Sequence, residues 1–194
     1  MKIATLQVMI ITVVSKLLGF SRELVMSYVF GASSTTDAYL VSQTVPAVIF
    51  SLLSAGVATG FIPMYSRIRN ENGRERADEF TSNVSNALLL VAFVFVFGVL
   101  LLTGPIVKLF ASGFSGRTFE LAVGLTRISV FGICFTGLTN VFTGYLRWYG
   151  NFWIPAAIGL PLNLVIIGSL VLSAKTNVYT LAAGSVVATA AQLL

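Results

Sequence analysis

The chain has 194 residues, of which 56% are hydrophobic and 10% charged, and its mean hydropathy is +0.91. A soluble domain does not hide that much apolar surface, so the composition describes an integral membrane protein. The net charge of +5 is not gathered into one patch, which argues against a nucleic-acid partner. With no His and one Cys, Cys134, an internal disulfide and Ser-His or Cys-His catalysis are excluded, and a Cys/His metal site has no basis. No enzyme activity, metal or cofactor is expected.

The N-terminus opens like a secretion signal, with Lys2 before an apolar run from Ile3 to Ser15. No small-residue cleavage site follows and the apolar character resumes at once, so it reads as a retained first helix. Uncharged runs then recur along the chain and combine into six transmembrane helices: 3–30, 38–66, 80–103, 119–147, 151–173 and 178–194. Each approaches the roughly 20 residues that a hydrocarbon core needs, the last being the shortest. The expected fold is all-α, one six-helix lobe.

Helix 1 is interrupted by charge in the stretch SKLLGFSRE, where Lys16, Arg22 and Glu23 stand among apolar residues. Asp37 opens helix 2. A charge at bilayer depth costs on the order of 3 kcal/mol, so such residues face a protein interior or a watery cavity. Gly19, between the charges, is a candidate hinge. Two readings stay open on the residues alone: a cationic lining for an anionic substrate, or charges that neutralise one another and fix the packing of helix 1. Helix 2 is over-long, its 29 uncharged residues reaching about 43 Å, and Pro46 is the natural place for a bend. Gly56 and Gly60 form a G-x-x-x-G pair that permits close helix contact within one protein or between copies. Arg67 to Glu79, four Arg against three Glu and one Asp around Asn72-Gly73, reads as an aqueous linker, in part an amphipathic surface helix. The stretch from Gly104 to Arg117 reads as a loop along the opposite interface.

Loop charge sets the orientation. With the N-terminus in the cytoplasm, that side holds Lys2, Arg67, Arg69, Arg74, Arg76 and Arg147, against Lys108, Arg117 and Lys175 outside. Tyr145, Trp148, Tyr149 and Trp153 then form an aromatic belt at the cytoplasmic end of helices 4 and 5. Among secondary candidates, Arg127 either lines a cavity or pairs with Glu120. Asn163 is expected to bridge helices by hydrogen bonding, and Ser15 and Gln43 either touch a ligand or pack. The last helix runs uncapped into Ala190-Ala191-Gln192-Leu193-Leu194, so the chain reads as one half of something larger.

The succession SKLLGFSRE, FGASSTTDAYLVSQTVP, GFIPMYSRIRNENGRERADEF, ASGFSG, LAVGLTRIS, FTGLTNVFTGYL and FWIPAAIGLPLN resembles the N-terminal part of the MurJ/MviN lipid II flippases. The likeness covers essentially the whole chain in order. It implies a multidrug/oligosaccharidyl-lipid/polysaccharide exporter fold of two six-helix lobes around a central cavity, with this chain the first lobe. The substrate implied is an undecaprenyl-pyrophosphate-linked peptidoglycan precursor, carried across the bacterial cytoplasmic membrane by alternating access. The partners implied are that lipid-linked precursor, membrane lipids, and the missing lobe or a second copy. The family's helix-1 basic pair falls on Lys16 and Arg22, its acidic partners on Glu23 and Asp37. A Lys at 16, where Arg is common, grips phosphate as a point charge and not a fork. The family's Arg pair midway along helix 2 is replaced by Phe50-Ser51. A flippase for another polyprenyl-linked glycan, a drug or cation exporter of the same superfamily, and a non-transporting membrane scaffold remain the alternatives.

Overall fold

The computed structural model describes residues 2–193; Leu194 and the side chain of Lys2, used in the orientation argument, lie outside the described residues. Helix α1 (Lys2–Phe30) is unbroken. Its sheltered positions, Val8, Ile11, Ser15, Leu18, Gly19, Arg22, Val25 and Met26, recur every three or four residues and form one packed stripe. Leu6, Met9, Val13, Leu17, Phe20 and Leu24 stay exposed on the other faces, as a hydrocarbon environment allows.

Helix α2 (Ser34–Phe110) starts at Ser33, whose Oγ accepts from the Thr36 N–H at 3.3 Å. Its backbone leaves the helical region at Gly73 (φ 86°, ψ 178°) and Leu102 (φ −108°, ψ 20°). The first value is open to glycine and to few other residues. The second break lies three residues before Pro105, whose ring clashes with the carbonyl one turn back. The arm after Gly73 doubles back on the arm before it. Phe61 stacks on Phe80 (5.8 Å), and Phe50 shares a buried cluster with Ala92 and Val96.

The remaining elements are α3 (Gly116–Ser129), α4 (Gly132–Trp148), α5 (Trp153–Ala157), α6 (Gly159–Ser173), α7 (Val178–Ala190) and a 3-10 turn, Ala191–Leu193. No strand occurs among the described residues. Three buried clusters hold the lobe together. Met26, Tyr39, Leu125, Leu170 and Leu181 join α1, α2, α3, α6 and α7 at one end. Phe50, Val96, Val130 and Ile133 form the middle, and Phe61, Tyr65, Ala77 and Val141 the other end.

Several expectations are corrected. Among the described residues seven α-helices stand where six were expected, because α2 joins two of the expected helices across Gly73 while two others are divided. The helix expected over 119–147 begins at Gly116 and is broken at 130–131 with a 42° bend between α3 and α4. Ser129 and Gly132 flank that bend, a pairing that weakens the helical ladder. The helix expected over 151–173 is divided at Ile158, because Pro161 removes the donor that would hold the Ala157 carbonyl. The helix expected over 178–194 tightens to a 3-10 turn after Ala190.

Arg67 to Glu79 is not a linker: the surface-helix part of that reading and its turn hold, with helix on both sides of Gly73. Buried Ala77 and the close pairs Arg67–Glu71 (3.0 Å), Arg74–Asp78 (3.3 Å) and Arg76–Glu79 (3.0 Å) support it. Helix also continues through the expected loop after Gly104 as far as Phe110, where Lys108 Nζ donates to the Phe114 carbonyl at 3.1 Å and closes the turn. No backbone break is present at Gly19 or Pro46. By length and composition, Thr59–Phe110 and Trp153–Ser173 can each cross a membrane, and the bent pair α3–α4 makes a third if it is one span. The protein is an all-helical membrane protein.

Candidate functional site

The charges of α1 do not share one face. Lys16 and Arg22 are six residues apart, about 240° around a helix of 3.6 residues per turn. Arg22 lies in the packed stripe, where its Nη2 meets the carboxylate of Glu23 at 2.5 Å. Lys16 and Glu23 are seven residues apart, so they lie on the same, exposed face. Asp37, in the first turn of α2, is exposed too. Among the described residues Lys16 and Asp37 have no ion pair, and Arg22 and Glu23 pair only with each other.

The opposite face of α1 is fixed by small residues. Gly159 opens α6 directly against Ser15 Oγ, so any added Cβ collides there. Asn163, buried one turn later, donates to the Gly159 carbonyl (2.8 Å) and makes a long contact to the Ser15 carbonyl (3.5 Å). Gly19 faces that same Asn163. Asn163 therefore bridges α1 and α6, with Ser15 packed against Gly159 on the same stripe of α1 that carries Arg22.

Gln43 ties α2 to two other helices. Its Nε2 donates to Ser129 Oγ of α3 (2.9 Å) and to Ser185 Oγ of α7 (3.1 Å). Pro46, one turn on, is buried beside it. Arg127 is exposed, and no pair with Glu120 forms among the described residues. Gly56 and Gly60 are exposed with open space beyond them.

A second polar constellation, missed in the sequence, lies around the Gly73 turn. Tyr65 has no exposed surface, yet its hydroxyl donates to Asp78 Oδ1 (3.0 Å) and meets the Tyr149 hydroxyl at 3.2 Å. The Tyr145 hydroxyl donates to the same Oδ1 at 3.4 Å, and Arg74 holds the other oxygen. Arg69 lies over the Trp148 and Tyr149 rings, 5.0 and 5.6 Å from their centroids. Tyr149 lies beyond the last turn of α4, and the hydrogen bond with Tyr65 is the main reason its hydroxyl is pulled below the usual tyrosine range. The tyrosines were legible as a belt, but Asp78 was hidden in a charge run. Trp153 stands apart from the cluster, exposed beside Gln7, Ile10 and Ile11 of α1.

Residues 26–194 match the family described as Lipid II flippase MurJ. The lipid II flippase MurJ of Burkholderia cenocepacia is 32% identical over 193 residues, covering 94% of this chain and 37% of the relative. The probable lipid II flippase MurJ of Thermotoga maritima is 29% identical over 161 residues, covering 82% of this chain and 33% of the relative. A solved structure, lipid II flippase MurJ in an inward closed conformation, has a TM-score of 0.83 at 27% identity, over 95% of this chain and 40% of that one. The chain thus spans well under half the length of the proteins it matches. With the family match running from late α1 to the last residue and the likeness of fold covering nearly all of the chain, it belongs to the lipid II flippase MurJ family.

Proposed function

We propose that this chain is the first lobe of a lipid II flippase, moving an undecaprenyl-pyrophosphate-linked precursor from the inner to the outer leaflet of the bacterial cytoplasmic membrane. It works by alternating access, with the N-terminus in the cytoplasm and without chemistry on the substrate. A second lobe, or a second copy, completes the cavity. The observation that carries the reading is the exposed charge on the α1 side: among the described residues Lys16 and Asp37 have no ion pair, and Glu23 pairs only with Arg22 of its own helix. Charges held so in an apolar helix do no structural work that would justify their cost.

The two basic residues have different roles. Lys16, on the open face, attracts the pyrophosphate as a point charge. Arg22 holds Glu23 until the anion displaces it, because a guanidinium binds phosphate oxygens in a two-pronged, charge-assisted grip. Asp37 takes Arg22 over once the substrate has left, resetting the lobe. In a low-dielectric cavity these exchanges are much stronger than at a surface.

The test is rescue of a bacterium depleted of its own lipid II flippase by the chain extended to a two-lobe protein. Arg22→Ala in that context is expected to abolish rescue while the protein still inserts at normal abundance. Full rescue by Arg22→Ala sinks the assigned role, and failure of the unmutated protein sinks the flippase reading itself.

A further inference from the structure

Arg69 is the exception in the charged turn of α2. Arg67, Arg74 and Arg76 each hold an acid three or four residues on, Glu71, Asp78 and Glu79. Three and four residues after Arg69 stand Asn72 and Gly73, so its own helix offers it no carboxylate. The fold-back supplies none either: among the described residues Arg69 has no ion pair and no hydrogen bond. Glu75, the acid of the run without an ion pair there, lines an open groove with Arg74 and Asp78.

What Arg69 has instead is a platform. Its guanidinium carbon lies 5.0 and 5.6 Å from the Trp148 and Tyr149 ring centroids, and the two rings stand at 82° to each other. Nη1 is enclosed there without a hydrogen-bond partner, as no other buried side-chain nitrogen or oxygen is among the described residues. Nε and Nη2 have no partner but are not enclosed, since the side chain is half-buried. Those two nitrogens form the edge of the fork that meets two oxygens of one anion side by side. The stacked face fixes the plane of the fork, so filling its edge loses little freedom. A half-buried guanidinium with every donor unpaired needs an anion to complete it. Arg147, exposed in the same last turn of α4 as Trp148, also has no ion pair among the described residues and adds positive charge.

We infer that Arg69, stacked on Trp148 and Tyr149, is a site for the phosphate of an anionic phospholipid headgroup. The inference goes beyond the flippase reading and does not rest on it. The uncharged run from Ala38 ends at Ser66, three residues before Arg69, which puts the guanidinium at the boundary between hydrocarbon and water. Tryptophan and tyrosine gather at that depth, where headgroups lie. A phosphodiester there presents two non-bridging oxygens to the Nε and Nη2 edge while its acyl chains run along the apolar arm. A zwitterionic lipid arrives with a cation of its own, which Arg69 and Arg147 repel; a headgroup of net negative charge does not.

The test uses Trp148 as the reporter, because Trp153→Phe leaves it the one tryptophan of the full chain. The protein is placed in vesicles of phosphatidylcholine brominated high on its acyl chains, which quench Trp148. Exchanging a fifth of that lipid for unbrominated phosphatidylglycerol is expected to restore emission at least twofold more than exchanging it for unbrominated phosphatidylcholine. Arg69→Gln is expected to make the two lipids equal, and Arg69→Lys, which keeps the charge without the fork, to retain less than half of the difference. Arg67→Gln, which removes the same charge but breaks only the pair with Glu71, is expected to retain all of it. Inorganic phosphate is expected to do no more than sodium chloride of equal ionic strength. Equal protection by the two lipids in the parent, an undiminished difference in either Arg69 variant, or an equal loss in Arg67→Gln overturns the inference. Loss of the difference to inorganic phosphate and not to chloride makes the ligand a free phosphate and overturns the lipid assignment.

Discussion

The two ends of the first arm of α2 treat charge in opposite ways. Near Gly73, Asp78 is held by Tyr65, Tyr145 and Arg74, while Arg69 lies over two aromatic rings. Near Ser34, Asp37 has no ion pair among the described residues, and Arg22 and Glu23 of α1 pair only with each other. One end spends its charges on joining helices; the other keeps them available. On the proposed alternating-access reading both are needed, a fastened end to move as one piece and a loose end to exchange partners.

The comparison breaks most sharply at Tyr65. Tyr65→Ala removes a fully buried ring that meets Phe61, Tyr145, Trp148 and Tyr149, and is expected to cost about 3–5 kcal/mol. Tyr65→Phe keeps the ring and removes the hydroxyl that donates to Asp78 and meets the Tyr149 hydroxyl, at about 1–3 kcal/mol. Thermal unfolding of the purified protein in detergent measures both. If Tyr65→Phe is as stable as the parent, the end is held by packing alone and Asp78 does not fasten it.

How much of this was legible follows the same division. The charges of α1 stood out because an apolar helix gives them nothing to hide among, so Lys16, Arg22, Glu23 and Asp37 were visible as a group. That Lys16 and Arg22 lie on different faces also follows from their spacing, but which face packs depends on Gly159 and Asn163, distant in sequence. Asp78 was not legible. In a run of four Arg and four acids it looks solvated, and only the fold-back at Gly73 brings Tyr65 and Tyr145 to it. The breaks within the helices expected over 119–147 and 151–173 were missed for a related reason: Ser129, Gly132 and Pro161 break helices without adding polar residues that would mark a loop. Gln43 was noticed, but its partners, 86 and 142 residues away, were not.

At the loose end the expectation reverses, since function and stability part company. Lys16→Gln and Asp37→Asn are each expected to change stability by less than about 0.5 kcal/mol, as exposed substitutions without partners do. Each is nevertheless expected to reduce rescue in the two-lobe context at least tenfold. The same thermal scan beside the same rescue assay makes the comparison direct. A large stability loss with either variant places that residue in the fastened class instead.

The smallest effect sharpens where the fastened end stops. Arg67 and Glu71 pair at 3.0 Å, much like Arg74 and Asp78 at 3.3 Å, and both pairs are one helical turn apart. Distance therefore predicts that they matter equally. Connectivity predicts otherwise, because among the described residues Glu71 has no hydrogen bond or ion pair beyond Arg67, while Asp78 also accepts from Tyr65 and Tyr145. Arg67→Gln is expected to cost no more than about 0.5 kcal/mol, the usual worth of an exposed intrahelical pair, and raising the salt to 1 M should erase even that. A cost above 1 kcal/mol would mean that the whole charged turn, and not the aromatic cluster beneath it, holds the two arms of α2 together.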